Sequence, residues 1–194
     1  MTDGDTAVVR EVQGGRKEAF ATLVDRHKER VYATLMRLTG DPHVAEELAH
    51  EAFVRAYLGL SKFRGESRFG TWLVQIAVHL ARDHIRRRQR DRFVSLDALL
   101  ERNDDAAELA DTRSDTDPLR EVSEREMSER FTRALGELPP NYREVFVLYH
   151  MQNMSYEEIS AATGDSVGSL KVRAHRARKL IKEALFPSES SVMD

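Results

Sequence analysis

The sequence contains no cysteine, which excludes disulfide bonds and zinc sites built on thiolates. No apolar run approaches the roughly 20 residues that a membrane-spanning helix needs. The first residues lack a basic segment followed by an apolar one, so we predict no signal peptide and a cytoplasmic location. The P-loop, the dinucleotide fingerprint, HExxH and G-x-S-x-G are also missing, and we expect neither an enzyme nor a bound cofactor.

The charge that is present is distributed unevenly. The formal net charge is -3, but residues 97–129 alone carry 12 acidic and 4 basic residues, which leaves the rest of the chain positive. Residues 82–92 hold 6 Arg against 2 Asp, and residues 171–182 hold 6 Lys or Arg and no acid. This pattern indicates two basic surfaces joined by an acidic connector.

Apolar residues recur at helical spacing and no long stretch alternates polar with apolar, so we predict an all-α chain. The prolines and glycines divide it into two small helical domains joined by a flexible acidic linker. Helices are expected over 17–38, 44–60, 71–90, 119–135 and 141–151, the last capped by Asn141 with Glu144. The predicted boundaries are an N-terminal tail 1–16, a first domain 17–92, a linker 93–118 with a short helical piece at 96–100, a second domain 119–186 and a C-terminal tail 187–194.

Residues 155–181 have the pattern of a helix-turn-helix. Ser155 and Glu158 form a capping box, Gly164 suits the left-handed end of a first helix, and Ser166 can cap a second. Apolar residues of that second helix fall on one stripe, while basic residues project away from it. A helix packed on one side and basic on the other is typical of major-groove recognition, although a solvated amphipathic pair has a similar pattern.

Aromatic residues alternate with arginines at 63–72, next to two glycines. Stacking of unpaired bases requires such a combination. Taken alone, however, Phe69 and Trp72 are better explained as a plug for the helical core, because aromatic residues usually belong to a core. The arginine run at 86–90 exceeds what a helix end needs and favours phosphate contact. Two His and two Glu at 43–50 share a helix face, yet no second helix offers the rest of a metal shell, and we predict no metal site.

Three ordered segments together resemble an extracytoplasmic-function (ECF) sigma factor of the sigma-70 family. They are AEELAHEAFVRAY, KFRGESRFGTWLVQIAVHLARDHIRRR and LPPNYREVFVLYHMQNMSYEEISAATGDSVGSLKVRAHRARKLI. The resemblance implies that the first domain, region 2, binds the clamp coiled coil of RNA polymerase and opens the minus-10 promoter element. It also implies that the second domain, region 4, reads the minus-35 element beside the polymerase flap.

The resemblance assigns residues to each contact. Those expected to face the polymerase are Glu47, His50, Glu51 and Arg55. Those expected at the minus-10 element are Phe63, Arg64, Ser67, Phe69, Trp72, His79, Arg82, Asp83, Arg86 and Arg87. Those expected to read minus-35 bases are Lys171, Val172, His175 and Arg176, with phosphate contacts from Gly168, Ser169, Arg173 and Arg178. Most relatives carry Asp and Gln in place of Glu47 and His50, and many carry Asn in place of His79.

The implied partners are RNA polymerase core, promoter DNA and an anti-sigma factor that could hold the protein at the membrane without direct membrane insertion. Two other classes are consistent with parts of the sequence. A helix-turn-helix regulator whose first domain dimerises or senses a ligand would bind two-fold symmetric DNA without polymerase, but it gives no task to the basic third helix and the aromatic loop. An adaptor would contact protein alone, and it leaves the basic residues 171–182 unexplained.

Overall fold

The structure, a computed structural model, describes residues 3–95 and 118–186. Every regular element in these two ranges is helical, which confirms the predicted all-α fold. The chain divides into two compact units, and each described range belongs to one of them. The predicted linker lies outside the described residues except at its ends, where residues 93–95 continue a helix and Pro118 begins another. The predicted helical piece at 96–100 and the C-terminal tail also lie outside them.

The first unit contains four α-helices, α1 Asp3–Gln13, α2 Phe20–Thr39, α3 Pro42–Gly59 and α4 Phe69–Ser95. Helix α2 packs against the other three, and α3 also packs against α4. The apolar stripes predicted for α2, α3 and α4 supply the core, with Leu23, Leu35 and Leu73 fully buried. Burial of one such side chain stabilises the fold by about 1.5–3 kcal/mol, so these stripes fix which helix faces remain outside.

Local signals fix the junction between α2 and α3. Gly40 adopts φ +71 and its N–H donates to the Met36 carbonyl, which ends α2. Asp41 then caps α3 by accepting hydrogen bonds from the N–H groups of His43 and Val44 at 3.0 and 3.2 Å. Pro42 occupies the first helical position, where its missing N–H removes no helical bond.

The predicted N-terminal tail is wrong, because residues 3–13 form helix α1. Val9 is buried with 5% of its surface exposed, and Asp5 pairs with Arg26 and His27 of α2. The short 3-10 turn Lys17–Ala19 joins α1 to α2. The helix predicted to start at residue 17 therefore begins with this turn, and its α-helical part, α2, begins at Phe20.

The second unit contains α5 Pro118–Glu137, α6 Pro140–Phe146, α7 Tyr156–Thr163 and α8 Val167–Leu185, with a π-helical turn Val147–Met151 after α6. Helix α8 packs against α5, α6 and α7. The predicted side-chain cap by Asn141 is wrong. Pro139 occupies the N-cap without a side-chain cap, and Pro140 already occupies the first turn. Asn141 is therefore inside the helix, and Glu144 is buried in the unit rather than reaching back to a cap.

Candidate nucleic-acid and polymerase interfaces

Three rings of the first unit form an aromatic cluster, which we define as Phe63, Phe69 and Trp72. The ring centroids of Phe63 and Trp72 lie 4.8 Å apart at 36°, and Phe69 lies 6.1 and 5.9 Å from them. Phe63 and Trp72 are half-buried, so both keep some ring surface in solvent. Arg64 and Arg68 are exposed in the loop between them. The sequence-predicted combination of rings and cations is therefore assembled at one place.

Phe69 differs from the other two rings. It is 4% exposed, and its ring centroid lies 5.4 Å from that of His27 on α2. The core interpretation thus applies to Phe69, which supports the cluster and has almost no surface to offer a base. Trp72 combines both interpretations, since it packs against Phe63 and Gly59 while remaining partly exposed.

Helix α2 contributes two residues to this region that the sequence analysis missed. His27 and Arg30 lie beside Gly70, where an added Cβ would be 3.0 Å from each side chain. Burial, together with the neighbouring charge of Arg68, lowers the pKa of Arg30. No motif marks these residues, because a single His or Arg on an amphipathic helix is a common surface residue.

One face of α4 continues from the aromatic cluster to the arginine run. His79, Asp83, Arg86 and Arg87 are exposed, and Arg82 is half-buried. The steps from Trp72 to His79 and from His79 to Arg86 are each seven residues, so these side chains share a face. At 1.5 Å per residue that face is about 20 Å long, enough for several nucleotides of a single strand. Asp83 is the acidic exception among the cations.

The residues predicted to face the polymerase lie on the outer side of α3. Glu47, His50 and Arg55 are exposed, and Glu51 pairs with Arg55 at 2.5 Å. The same face continues into two apolar residues that the sequence analysis did not select, Val54 at 44% and Leu58 at 72% exposed. Their signal was present, since 47, 50, 51, 54, 55 and 58 follow helical spacing.

The four residues considered for a metal site, His43, Glu46, Glu47 and His50, are all exposed on α3. Within the described ranges, no three His, Asp or Glu side chains are arranged to hold a metal ion. Among the described helices, none is long and apolar enough to cross a membrane.

The helix-turn-helix of the second unit forms as its sequence predicts. Ser155 Oγ accepts from Glu158 N at 3.1 Å, and Ser155 N donates to Glu158 Oε2 at 2.8 Å, which completes the capping box. Gly164 adopts φ +74 and ends α7. Ser166 Oγ then accepts from Ser169 N at 3.3 Å and caps α8. These local bonds fix the angle at which α8 leaves the turn.

Helix α8 buries Leu170, Ala174, Ala177 and Ile181 and turns its predicted reading residues outward. The exposed members of that predicted set are Gly168, Lys171, Val172, His175, Arg176 and Arg178, and Ser169 is half-buried. Lys171 Nζ lies 5.9 Å from the ring centroid of Tyr156, which stacks on Tyr149 at 4.3 Å. Arg176 Nη1 donates to the Tyr142 hydroxyl at 3.2 Å. Tyrosines of neighbouring elements thus orient the two cations.

Arg173 behaves differently from its neighbours. Its Nη1 lies 3.0 Å from Asp165 Oδ2, and both side chains are only about a quarter exposed, at 24% and 23%. Asp165 belongs to the turn between α7 and α8, and its N–H also donates to Thr163 Oγ1. In this structure Arg173 therefore ties α8 to its own turn, and its predicted phosphate contact requires sharing that charge with Asp165.

Comparison with known proteins matches both units to one family. Residues 23–91 match the model for Sigma-70 region 2, and residues 128–181 match the model for Sigma-70, region 4. The ECF RNA polymerase sigma factor SigW of Bacillus subtilis is 33% identical over 178 residues, which covers 91% of this chain and 94% of the relative. The RNA polymerase sigma-H factor of Pseudomonas aeruginosa is 34% identical over 187 residues, covering 94% of each.

Two solved structures share the fold. The sigma factor RpoE of Bartonella quintana, in complex with the anti-sigma factor NepR, has a TM-score of 0.68 at 22% identity and covers 87% of this chain and 98% of its own. CnrH, in complex with the cytosolic domain of CnrY, has a TM-score of 0.64 at 24% identity and covers 94% and 97%. With both regions matched in order, the chain belongs to the ECF sigma factors of the sigma-70 family, which are initiation factors of bacterial RNA polymerase and not enzymes.

Proposed function

We propose that three surfaces divide the work of initiation in this protein. The outer face of α3 binds polymerase core, the aromatic cluster with the exposed face of α4 takes the separated minus-10 strand, and α8 reads the minus-35 duplex. The observation that carries the proposal is that one face of α4 holds the partly exposed Trp72 ring near its start and the exposed His79 and Arg86 further along. A dimeric regulator or a protein-only adaptor would have no use for that arrangement.

At the minus-10 element, Phe63 and Trp72 offer stacking surface to an unpaired base. Stacking on an aromatic side chain contributes about 1–3 kcal/mol per base, which offsets the energy needed to unstack one step of the duplex. His79, Arg86 and Arg87 then follow the strand along α4. Phe69 belongs to the support of this pocket rather than to its contact surface, because it is buried.

At the minus-35 element, Lys171, Val172, His175 and Arg176 point outward from one face of α8 and are proposed to reach base edges. Arg178, with the backbone at Gly168 and Ser169, is proposed to contact phosphates. Base contacts specify a sequence, whereas phosphate contacts position the protein. Arg176 and Arg178 therefore provide a matched pair of substitutions for a test.

We also propose control by an anti-sigma factor. The two similar structures are complexes of other proteins. One is the sigma factor RpoE with the anti-sigma factor NepR, and the other is CnrH with the cytosolic domain of CnrY. The exposed apolar residues Val54, Leu58 and Val172 of this chain provide surfaces for such a partner. The proposed location is the bacterial cytoplasm, where the polymerase works, and any tether to the membrane would run through the anti-sigma factor.

Transcription by purified bacterial core polymerase from a library of genomic promoter fragments tests the proposal. New start sites that share paired minus-35 and minus-10 elements are expected only when the protein is present. Arg176→Ala should reduce discrimination at one minus-35 base pair by about 1–3 kcal/mol. Arg178→Ala should instead weaken all sites alike and reduce the salt slope by about one. Identical sequence profiles for the two variants would refute the assignment of α8 residues.

Trp72→Ala tests the pocket. Promoter opening on duplex DNA should slow by about tenfold, which corresponds to the loss of one stacked base. A template with an unpaired minus-10 region should restore most of the rate, because strand separation is then no longer required. An equal defect on both templates would place the role of Trp72 outside DNA opening.

A further inference from the structure

Three residues on one face of helix α1 contact the rest of the first unit. Asp5, Val9 and Gln13 are spaced four residues apart, which places them along a single side of the helix. Val9 packs into the core and is 5% exposed. The other two use polar side chains, and both lead to the aromatic cluster. Helix α1 precedes the part of the chain that matches the model for region 2, residues 23–91.

The first polar contact runs through His27. Asp5 Oδ2 lies 2.9 Å from His27 Nε2, and the two side chains are 15% and 12% exposed. Asp5 Oδ1 also accepts a hydrogen bond from Arg26 Nη1 at 3.1 Å. The His27 ring in turn packs on Phe69, the buried member of the cluster. Through Asp5 and His27, helix α1 thus supports the position of the Phe69 ring.

The second polar contact reaches the loop itself. Gln13 Nε2 donates to the Leu60 carbonyl at 2.9 Å and to the Phe63 carbonyl at 3.1 Å. A side-chain amide has two N–H donors, and this geometry uses both. Leu60 is the first residue of the 3-10 turn Leu60–Lys62 and Phe63 is its C-cap, so Gln13 binds the turn at both ends. The backbone that presents the Phe63 ring to Trp72 is therefore held by one side chain of α1.

We propose that α1 is a positioning element for DNA opening and that Gln13 is its positioning residue. The inference rests on the proposed role of the cluster as a base pocket. A loop held by few contacts would sample many positions of Phe63, and a base can stack well in only some of them. Gln13 restricts the loop before DNA arrives, so less ordering remains to be done when a base is captured.

The test uses Gln13→Met, which keeps the length of the side chain and removes both donors. The control is Ala7→Ser, also exposed on α1. Trp72 is the only tryptophan of the chain, so its fluorescence reports on the cluster. Gln13→Met should increase acrylamide quenching of Trp72. Because two hydrogen bonds are lost, it should also lower the midpoint of thermal unfolding by several degrees, while the protein stays folded at the temperature of the assay. With core polymerase, opening of duplex promoters should slow by about three- to tenfold. This is less than the full contribution of two neutral hydrogen bonds, because only the ordering of the loop before base capture is lost. A template unpaired at minus-10 should restore the rate.

Two results would overturn the inference. One is unchanged quenching of Trp72, which would mean that Gln13 does not hold the cluster. The other is altered quenching with opening at the wild-type rate, which would mean that the position of the loop does not matter for DNA. Trp72→Ala, measured in parallel, distinguishes failure of the proposed role of α1 from failure of the proposed base pocket. If Trp72→Ala opens promoters slowly while Gln13→Met does not, only the role of α1 is refuted; if both open them normally, the pocket is refuted as well.

Discussion

Replacing Gly164 with alanine should destabilise the second unit by about 1 kcal/mol through the backbone alone. Gly164 ends α7 at φ +74, and its N–H donates to the Ser160 carbonyl at 2.8 Å. A Cβ built at this position has no neighbour within 4 Å, so no steric clash contributes. The left-handed conformation costs an L-residue about 1–2 kcal/mol, part of which is offset because alanine loses less freedom on folding.

Gly168→Ala is the matched control, since the same methyl group is added in the same unit. Gly168 lies in the first turn of α8, is exposed and also has no neighbour within 4 Å of an added Cβ. Alanine in a helix is favoured over glycine by about 0.5–1 kcal/mol, so this substitution should stabilise the unit. The added methyl would nevertheless stand where phosphates are proposed to approach, and minus-35 affinity should fall.

Thermal unfolding of the whole chain, followed by far-UV circular dichroism and by Trp72 fluorescence, measures both effects. For a domain of 60–100 residues, 1 kcal/mol shifts the midpoint by about 4–8 °C. The transition of the second unit should move down for Gly164→Ala and up for Gly168→Ala, while the Trp72 transition of the first unit stays in place. Shifts of the same sign in the two variants would refute the backbone argument.

Three further predictions follow from the remaining contacts. A double-mutant cycle of Asp165→Asn and Arg173→Gln should give a coupling of about 1 kcal/mol in the free energy of unfolding. A coupling of zero would mean that the ion pair does not stabilise the second unit, and only the proposed phosphate contact of Arg173 would remain. Leu58→Glu should weaken binding to polymerase core by tenfold or more, because the binding energy from burying one leucine is lost. Its thermal unfolding should be unchanged, and binding as tight as that of the wild type would show that Leu58 lies outside the interface. Burial, followed by the charge of Arg178, lowers the pKa of His150 below 6.5, so the unfolded chain binds the proton more readily and the second unit should lose stability as pH falls through about 6.5. His150→Phe should flatten that loss, which urea titrations at pH 5 and 7.5 would detect.

Most of the predicted caps form because their causes are local. Ser155, Gly164 and Ser166 act within a few residues of themselves, and each forms the predicted structure. The cap predicted at Asn141 does not form, because the helix already begins at the preceding prolines. The exposed basic face of α8 also followed from periodicity, since the apolar stripe fixes which side remains in solvent. The signal for α1 was weaker, although Val8, Val9 and Val12 already have helical spacing.

Residues whose partners are distant in sequence could not be assigned in this way. Phe69 lies in a loop motif with Phe63 and Trp72, but His27 on α2 decides that it is buried. Gln13 acts on a turn 47 residues away, at Leu60. Residue type and spacing identify the surface, whereas the packing of other helices decides which members of the motif face solvent.

The division into two units gives a physical reason for dependence on polymerase. Asp83 places a negative charge among the cations of α4, which opposes adhesion to intact duplex phosphates. Binding to core through α3 would place the first unit near a promoter. Because the second unit belongs to the same chain, its contact with that promoter becomes intramolecular and its effective concentration rises. Weak individual contacts then discriminate between promoters better than strong ones, because neither element alone suffices to hold the protein on DNA. The same reasoning predicts that stronger cations on α4 would increase binding to any DNA more than they increase initiation.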